Sequence, residues 1–310
     1  RSWQTANFGS HAAGMITVPV YDSLGADAAR YIVEHAECSI IVVHSKKLES
    51  LRAFLGTCKK VKFVVTIGCQ APEIDSVTTF NVSDVVQMGA EHQEIETIEP
   101  DPDGVALIMY TSGSTGPPKG CVIHHRSIIA GAAGLGCVGA SITTIDTYFA
   151  FLPLAHIYEM CVEMLFIAQN ASIGFSTGET RRLTSDMQEL RPTVICGVPR
   201  VWNKIVDTMM GKIEELPMPV RYLMKAAIAG RVHEYKAYMP QSMLIDVLLF
   251  GKFKAVLGGR VRMIVSGGAP ILPHIYEFMK VALCPIIFQG YGLTECCAGL
   301  AVQEMPDYNP

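Results

Sequence analysis

A segment rich in glycine and hydroxyl side chains, residues 110–120, carries the clearest chemical signal in the sequence. It reads Tyr-Thr-Ser-Gly-Ser-Thr-Gly-Pro-Pro-Lys-Gly and follows an apolar run that predicts a strand. Small residues let backbone N–H groups approach an anion closely, and the hydroxyls of Ser112, Ser114 and Thr115 can donate to phosphate oxygens. Lys119 adds a mobile positive charge. The segment therefore predicts a loop that wraps the β- and γ-phosphates of ATP.

This loop is not a Walker A loop. In that motif glycine precedes the lysine and serine or threonine follows it, whereas here Pro118 precedes Lys119 and Gly120 follows it. A P-loop NTPase is therefore less favoured than the two function classes described below. Phosphate release from ATP in the absence of any carboxylic acid would support it.

Three further segments follow the loop in the chain. They are LPLAHIYE at 152–159, SGGAP at 266–270 and QGYGLTE at 289–295. The four segments, in this order, resemble the core motifs of the adenylate-forming superfamily, which includes acyl-CoA synthetases, luciferases and peptide-synthetase adenylation domains. VPVYDSLG at 18–25 and VPRVW at 198–202 resemble signatures of its long-chain fatty acyl branch. The resemblance covers essentially the whole chain.

The resemblance implies a two-step reaction. A long-chain fatty carboxylate attacks the α-phosphate of Mg-ATP, giving acyl-AMP and pyrophosphate, and the thiol of coenzyme A then gives acyl-CoA and AMP. The chain is thus expected to be a long-chain fatty acid-CoA ligase that uses ATP, Mg²⁺ and CoA. One alternative is a medium-chain or aryl acid-CoA ligase, or a luciferase-like enzyme. Another is a non-catalytic module that binds nucleotide or acyl groups.

The resemblance also assigns roles to residues. It implies that Glu295 is a Mg²⁺ ligand, that Thr294 donates to the α-phosphate, that Tyr291 lies against adenine and that His156 lines the carboxylate side of the acyl pocket. Together with Lys119, which meets the phosphates, Thr294, Glu295 and His156 form the expected catalytic set. The expected nucleotide-binding residues are Thr111, Ser112, Gly113, Ser114, Thr115, Gly116, Lys119, Gly268, Ala269, Pro270, Gln289, Gly290, Tyr291, Gly292 and Thr294. Structural alternatives stay open: a solvated turn carboxylate for Glu295, a core tyrosine for Tyr291 and a capping or core histidine for His156.

Alternating strand and helix patterns must position these residues. Helical periodicity covers 25–37, the nearly continuous apolar run at 39–44 predicts a strand of the buried parallel type, and further strands are expected at 61–67, 105–110 and 193–197. Such alternation predicts βαβ units, so the fold is expected to be α/β, with two packed sub-domains of mainly parallel sheets flanked by helices. An acidic, proline-containing stretch at 91–104 places a boundary between a first α/β part, 1–103, and an ATP-binding part with the phosphate loop, 104–310. Ligands of such sheets bind at the carboxyl ends of strands.

Composition narrows the functional classes further. Half of the 310 residues are hydrophobic and 17% are charged, which fits a large buried core, and the net charge of −4 gives no indication of a nucleic-acid partner. Ten scattered cysteines without metal-ligand spacing predict reduced thiols in an intracellular, reducing compartment. The family's later ribose-binding aspartate, hinge and C-terminal lid domain have no counterpart in these residues. We therefore expect a core incomplete at both ends, with weak or no activity by itself. The resemblance allows a parent protein at a cytosol-facing membrane surface such as that of the endoplasmic reticulum or peroxisome.

Overall fold

The computed structural model describes residues 2–111, 116–137, 141–239 and 249–303. Its contacts divide the chain into two compact units. The first comprises Arg1–Ile128 and Pro153–Ile157, and the second comprises Ile129–Leu152 and Tyr158–Pro310. The phosphate-loop strands thus belong to the first unit. The predicted division into functional parts at residue 103 stays a prediction.

The first unit contains two separate sheets. Its helices are α1 (Ser2–Ala12), α2 (Ala26–His35), α3 (Ser45–Leu55), α4 (Val82–Glu91) and the start of α5 (His125–Gly136). Its strands are β1 (Ile40–His44), β2 (Phe63–Ile67), β3 (Thr78–Asn81), β4 (Val105–Thr111) and β5 (Lys119–His124). Strands β1, β2 and β3 form a parallel sheet in that order, whereas β4 and β5 form an antiparallel pair.

The parallel sheet of the first unit is buried on one side. Val43 and Val64 are buried there in a core shared with residues of α2 and α3. On the alternate positions Ile40 and Val42 are 39% and 45% exposed. The expectation of strands buried on both faces is therefore wrong for β1, because alternate side chains point to opposite sides of a sheet and the side that carries Ile40 and Val42 is exposed.

The second unit is built on a six-stranded sheet. Its helices are the rest of α5, α6 (Ile157–Ala168), α7 (Leu183–Leu190), α8 (Pro199–Glu214), α9 (Met218–Lys236), α10 (Gly251–Val256) and α11 (Pro273–Ala282). Its strands are β6 (Thr147–Ala150), β7 (Ser172–Phe175), β8 (Val194–Gly197), β9 (Met263–Gly267), β10 (Ile287–Tyr291) and β11 (Ala301–Val302), ordered β11-β10-β9-β8-β6-β7. All neighbours are parallel except β10 and β11. The predicted fold class, mainly parallel sheets flanked by helices, is confirmed.

An ion pair fastens the amino ends of strands in this sheet. The Arg262 guanidinium donates to both carboxylate oxygens of Asp146, at 2.7 and 2.6 Å, and the hydroxyl of Thr193 donates to the same carboxylate at 2.7 Å. The Asp146 side chain is 1% exposed. Burial alone would raise the pKa of this carboxyl, but the bonds from Arg262, Thr193 and Thr143 outweigh it and hold that pKa well below its usual range. The ends of β6, β8 and β9 are therefore tied together.

Among the described residues, no helix combines the length and apolarity that a membrane crossing requires. All ten cysteines are free thiols.

Candidate functional site

The antiparallel pair β4–β5 brings the two ends of the Gly-rich loop together. Thr111 lies opposite Lys119, and Tyr110 lies opposite Gly120. The predicted phosphate-binding residues Ser112, Gly113, Ser114 and Thr115 lie outside the described residues. Lys119 is exposed and forms no ion pair with any part of the chain that the structure describes. The pair therefore places an unneutralised ammonium group at the mouth of the loop.

Two glycines of this segment meet different requirements. Gly116 has φ +104°, a conformation that residues with side chains rarely adopt, although no atom of the described residues lies within 4 Å of an added Cβ. Gly120 has an ordinary φ, but an added Cβ would lie 3.0 Å from Ile108 and 3.3 Å from the ring of Tyr110. Backbone conformation thus selects the first glycine, and close packing selects the second.

A histidine of α2 holds the base of the loop. The Tyr110 hydroxyl and His35 Nδ1 are 2.6 Å apart, and the rings of Tyr31 and His35 stack with centroids 5.2 Å apart. Burial raises the pKa of Tyr110, so its phenol keeps the proton that this hydrogen bond uses. The hydrogen bond between Tyr110 and His35 was not predicted from the sequence, although helical spacing puts Tyr31 and His35 on one face of α2.

His156 pairs with a tyrosine from the early signature segment. The Tyr21 hydroxyl and His156 Nδ1 are 3.0 Å apart, and the rings meet edge to face with centroids 4.7 Å apart. Both residues belong to the first unit. Partial burial lowers the pKa of His156 and raises that of Tyr21, so both are uncharged at neutral pH. His156 is exposed, so the alternative of a core histidine is wrong.

In the second unit, two predicted segments leave neighbouring strands at the carboxyl edge of the sheet. Gly267 at the end of β9 lies beside Gly290 of β10. Gly268, with φ +85°, starts the Gly268–Pro270 turn after β9. The Gln289 side-chain oxygen accepts a hydrogen bond from the Ile271 N–H at 3.2 Å, which fixes this turn to β10. The adenine-side turn and the Tyr291–Glu295 segment are therefore adjacent, as parallel strands require.

The Tyr291–Glu295 segment leads from the end of β10 into the connection of the β10–β11 hairpin. Tyr291 lies opposite Ala301, and the Leu300 N–H donates to the Tyr291 carbonyl at 2.9 Å. The chain reverses through Ala298, which has φ +82°, after Cys297, which has φ +50°. An added Cβ at Gly292 would lie 1.3 Å from the Ala298 carbonyl oxygen. Only glycine fits this position while the hairpin keeps its shape.

A helix glycine supports the hairpin from behind. An added Cβ at Gly131 of α5 would lie 2.5 Å from the Cys297 carbonyl oxygen and 3.2 Å from Cys161 Sγ. The Cys161 thiol itself donates to that carbonyl at 3.6 Å. Burial raises the pKa of Cys161 to about 12, so the sulfur keeps its proton and acts as the donor. The close approach of α5 therefore depends on the absence of a side chain at position 131.

The hairpin exposes two of its predicted ligand-binding side chains, Tyr291 and Glu295, whereas Thr294 is half-buried. Tyr291 is 63% exposed, which excludes a core tyrosine at this position. Thr294 and Glu295 lie in a short 3-10 helix, Thr294–Cys296, and Glu295 is exposed. Within the described residues, Glu295 makes no hydrogen bond, and no three His, Cys, Asp or Glu side chains cluster as a metal cage would require. A single open carboxylate fits Mg²⁺ of the kind that takes most of its ligands from ATP phosphates and water.

The second unit also encloses an apolar cavity of about 40 Å³. One wall comes from α6, with Tyr158, Val162 and Phe166, and the other from the sheet, with Cys196 and Phe288 among its residues. Such a wall excludes water and attracts hydrocarbon. One water molecule needs about 10–15 Å³ of such space, so the cavity has room for only a few small molecules the size of water.

Two carboxyl groups lie buried on α6. Glu159 is 0% and Glu163 is 1% exposed, and Glu159 accepts a hydrogen bond from the Tyr148 hydroxyl at 2.5 Å. Burial raises the pKa of Glu159 well above its usual range, and the nearby charge of Glu163 raises it further. Glu159 is therefore a neutral acid in the folded chain, and the sequence analysis did not give it a role.

The predicted site residues are distributed over both units. Lys119 and His156 belong to the first unit, and the segments 268–270 and 289–295 belong to the second, where they are adjacent. The ligand contacts assigned to these residues stay predictions. The roles of Tyr21, which contacts His156, and His35, which contacts Tyr110, were not predicted from the sequence. Each of these contacts joins distant parts of the chain.

Comparison with known proteins identifies the family. Residues 1–310 match the model of the AMP-binding enzyme family, so the chain belongs to the AMP-binding enzymes. Long chain acyl-CoA synthetase 4 of Arabidopsis thaliana is 36% identical over 98% of this chain and 48% of that protein. Long chain acyl-CoA synthetase 6, peroxisomal, of the same plant is 34% identical over 94% of this chain and 42% of that protein. The chain spans about half the length of the curated relatives it matches.

A solved structure supports the same fold. A long-chain-fatty-acid-CoA ligase (FadD1) from Archaeoglobus fulgidus aligns with a TM-score of 0.70 at 19% identity, covering 99% of this chain and 53% of that one. The predicted resemblance to the adenylate-forming enzymes is confirmed at the level of family and fold.

Proposed function

We propose that this protein activates a long-chain fatty acid with ATP, forming acyl-AMP and pyrophosphate and then, with coenzyme A, acyl-CoA and AMP. The carrying observation is Lys119, an exposed lysine whose backbone pairs with that of Thr111 where the Gly-rich loop begins and ends. Nearly the whole length of this chain matches proteins that are named long chain acyl-CoA synthetases. The substrates are accordingly a fatty acid, ATP and CoA.

Positioning and charge account for most of the chemistry in this proposal. The reacting groups are anions that repel one another, so fixed positive charge and hydrogen-bond donors lower the barrier most. Lys119 neutralises charge on the departing pyrophosphate. The Thr294 hydroxyl donates to the α-phosphate, and the exposed ring of Tyr291 lies against adenine. His156 contacts the acid's carboxylate.

Glu295 holds Mg²⁺ in this proposal. Its exposed carboxylate provides one hard oxygen ligand, and ATP supplies others. The metal neutralises phosphate charge when bound. The chain's part is to carry Glu295 on the hairpin that Gly292 and Ala298 close, so the carboxylate is placed by the backbone.

A second candidate is a medium-chain or aryl acid-CoA ligase. The small volume of the α6 cavity, about 40 Å³, favours it, because a short or planar acid needs less movement of the lining. Acid-dependent exchange of labelled pyrophosphate into ATP, measured with aliphatic acids of increasing length and with benzoate-type acids, separates the two. A preference for acids of about sixteen or more carbons supports the first proposal, because a longer chain buries more apolar surface.

Replacement of Lys119 tests the phosphate loop directly. We expect Lys119→Ala to lower exchange by about 10²–10³-fold, the usual cost of removing one charge-stabilising group. Lys119→Arg retains part of the rate, because a planar guanidinium fits a tight loop less well than a compact ammonium. Lys59→Ala, at another exposed lysine of the first unit, is the matched control. Full exchange in Lys119→Ala shows that this loop does not serve the phosphates.

We also propose a reducing intracellular compartment for the protein. Its ten free thiols support this, because exposed and buried cysteines alike keep their reduced form there.

A further inference from the structure

We propose that Tyr21 is a positioning residue that holds His156 in the tautomer with its proton on Nε2, so that Nε2–H is presented to the carboxylate of the acid substrate. The positioning role of Tyr21 goes beyond the proposed function. The choice of the acid's carboxylate as the group that accepts from Nε2–H rests on the proposed function. The inference starts from the 3.0 Å contact between the Tyr21 hydroxyl and His156 Nδ1.

The direction of that hydrogen bond follows from the chemistry of its two groups. A phenol is a good donor and a poor acceptor, whereas the unprotonated nitrogen of a neutral imidazole is a good acceptor. Burial raises the pKa of Tyr21 and lowers that of His156, so the phenol keeps its proton and the imidazole is neutral. Tyr21 therefore donates to Nδ1. A neutral imidazole carries one proton, which must then lie on Nε2.

Both partners are fixed by the backbone around them. The Leu24 N–H donates to the Tyr21 carbonyl in a tight turn, and Lys47 Nζ donates to the Asp22 carbonyl at 2.6 Å. The His156 N–H donates to the Pro153 carbonyl at 2.9 Å, immediately before α6. The edge-to-face packing of the two rings adds a preference for one orientation of each. The imidazole is thus oriented before any ligand arrives.

The second ring nitrogen is available. His156 is exposed, and among the described residues Nε2 has no hydrogen-bond partner. A neutral N–H group on an exposed, oriented ring suits an anionic oxygen that must be held without being neutralised by a full charge. A carboxylate that has to remain nucleophilic toward the α-phosphate meets this description.

The tautomer is measured on the full chain without substrate. The chain is labelled with ¹⁵N-histidine, and the His156 signal is assigned by its loss in His156→Asn. At pH 8 we expect the wild-type chain to show a protonated Nε2 and an unprotonated, hydrogen-bonded Nδ1. In Tyr21→Phe the hydrogen-bonded signature of Nδ1 disappears and the two tautomers mix, whereas Tyr222→Phe, at an exposed tyrosine, leaves the signal unchanged. A proton on Nδ1 in the wild-type chain overturns the proposal.

The ligand arm uses dodecanoate below its micelle concentration. Tyr21→Phe is expected to weaken dodecanoate binding by about threefold to tenfold, the range for loss of one hydrogen bond, with ATP binding unchanged. His156→Gln, whose amide reaches the position of Nε2, retains more affinity than His156→Asn. Equal dodecanoate affinity in Tyr21→Phe and Tyr222→Phe overturns the carboxylate role. If wild-type protein does not bind the acid, the proposed function fails, and the nitrogen signals still decide whether Tyr21 sets the tautomer.

Discussion

The closure of the β10–β11 hairpin over Gly292 gives a prediction that links backbone geometry to nucleotide use. In Gly292→Ala the added methyl group would start 1.3 Å from the Ala298 carbonyl oxygen. Ordinary contact between such atoms is about 3.5 Å, so the two strands must separate by roughly 2 Å. Ala298 already has φ +82°, so its backbone has few other allowed conformations into which it can retreat.

The expected cost follows from the bonds that close the hairpin. The Leu300 N–H donates to the Tyr291 carbonyl at 2.9 Å, and the Ala298 N–H donates to the Leu293 carbonyl at 3.3 Å. Losing both costs about 1–3 kcal/mol, at about 0.5–1.5 kcal/mol each. For a unit of this size, 1 kcal/mol lowers the melting temperature by about 2–4 °C, so we expect a decrease of about 2–12 °C. The carboxylate of Glu295 moves with the tip, so acid-dependent pyrophosphate exchange falls by at least about tenfold, because displacement of a catalytic group by 1 Å can already cost on the order of 10²-fold.

The matched control lies in the same hairpin. An added Cβ at Gly299 would meet only a Leu135 methyl carbon, at the ordinary distance of 3.6 Å. Differential scanning calorimetry and exchange assays on Gly292→Ala and Gly299→Ala therefore separate crowding from a general effect of alanine. If Gly292→Ala melts within about 1 °C of Gly299→Ala and exchanges pyrophosphate equally well, the argument that the motif glycine is required by the Ala298 carbonyl is refuted.

Three further predictions concern carboxyl groups. Asp146→Asn breaks the ion pair with the partly exposed Arg262 and should cost about 1.5–3 kcal/mol at pH 7. Because the folded pKa of Asp146 lies below its ordinary 3.8, the stabilisation is complete above that pH and is lost as the pH falls toward the folded value, so urea titrations should show variant and wild type converging in acid. Glu159→Gln keeps the hydrogen bond from the Tyr148 hydroxyl but removes a carboxyl group whose pKa is raised on folding, so that the wild type loses stability as the pH rises above the ordinary glutamate pKa of 4.5. The variant should melt at a higher temperature than wild type at pH 8 but not at pH 4. The same pH dependence of melting in both proteins would contradict this prediction. Glu295→Gln should shift the Mg²⁺ dependence of pyrophosphate exchange to higher concentrations while the melting temperature stays unchanged, and an unaltered Mg²⁺ titration would exclude the metal role.

Patterns of local sequence were enough to predict the fold class. The helix expected at 25–37 contains α2, because its apolar side chains recur with helical periodicity, and the strand expected at 193–197 contains β8, because a short continuous apolar run favours a buried strand. The antiparallel pairing of β4 with β5 was not evident, since an apolar run such as 105–110 reads the same in either kind of sheet.

The candidate site was predictable only as far as motifs reach. The segments at 266–270 and 289–295 lie side by side because adjacent parallel strands end at one edge. The residues that hold the site could not be read in the same way. Tyr21 meets His156 across 135 positions of sequence, and Gly131 meets the carbonyl of Cys297, and neither spacing has a period. Contacts of this kind depend on tertiary packing, which a single sequence does not display.

The two-stranded ribbon β4–β5 has a consequence for how nucleotide binding can be observed. Its two strands pair along their length only with each other, apart from an isolated bridge in which the Ile108 N–H donates to the Thr17 carbonyl, whereas β8 and β9 each lie between two strands in the middle of the larger sheet. A ribbon of this kind opens and recloses as one cooperative segment whose protection is set by local contacts, here those of Leu107 and Met109 with the interior. In the proposed function, phosphates bound at the loop clamp both strands at one end. We therefore expect phosphate binding to slow deuterium uptake along the entire ribbon, as far as Val105 and His124 at its opposite end. Backbone amides that touch no ligand then report whether the loop has bound nucleotide.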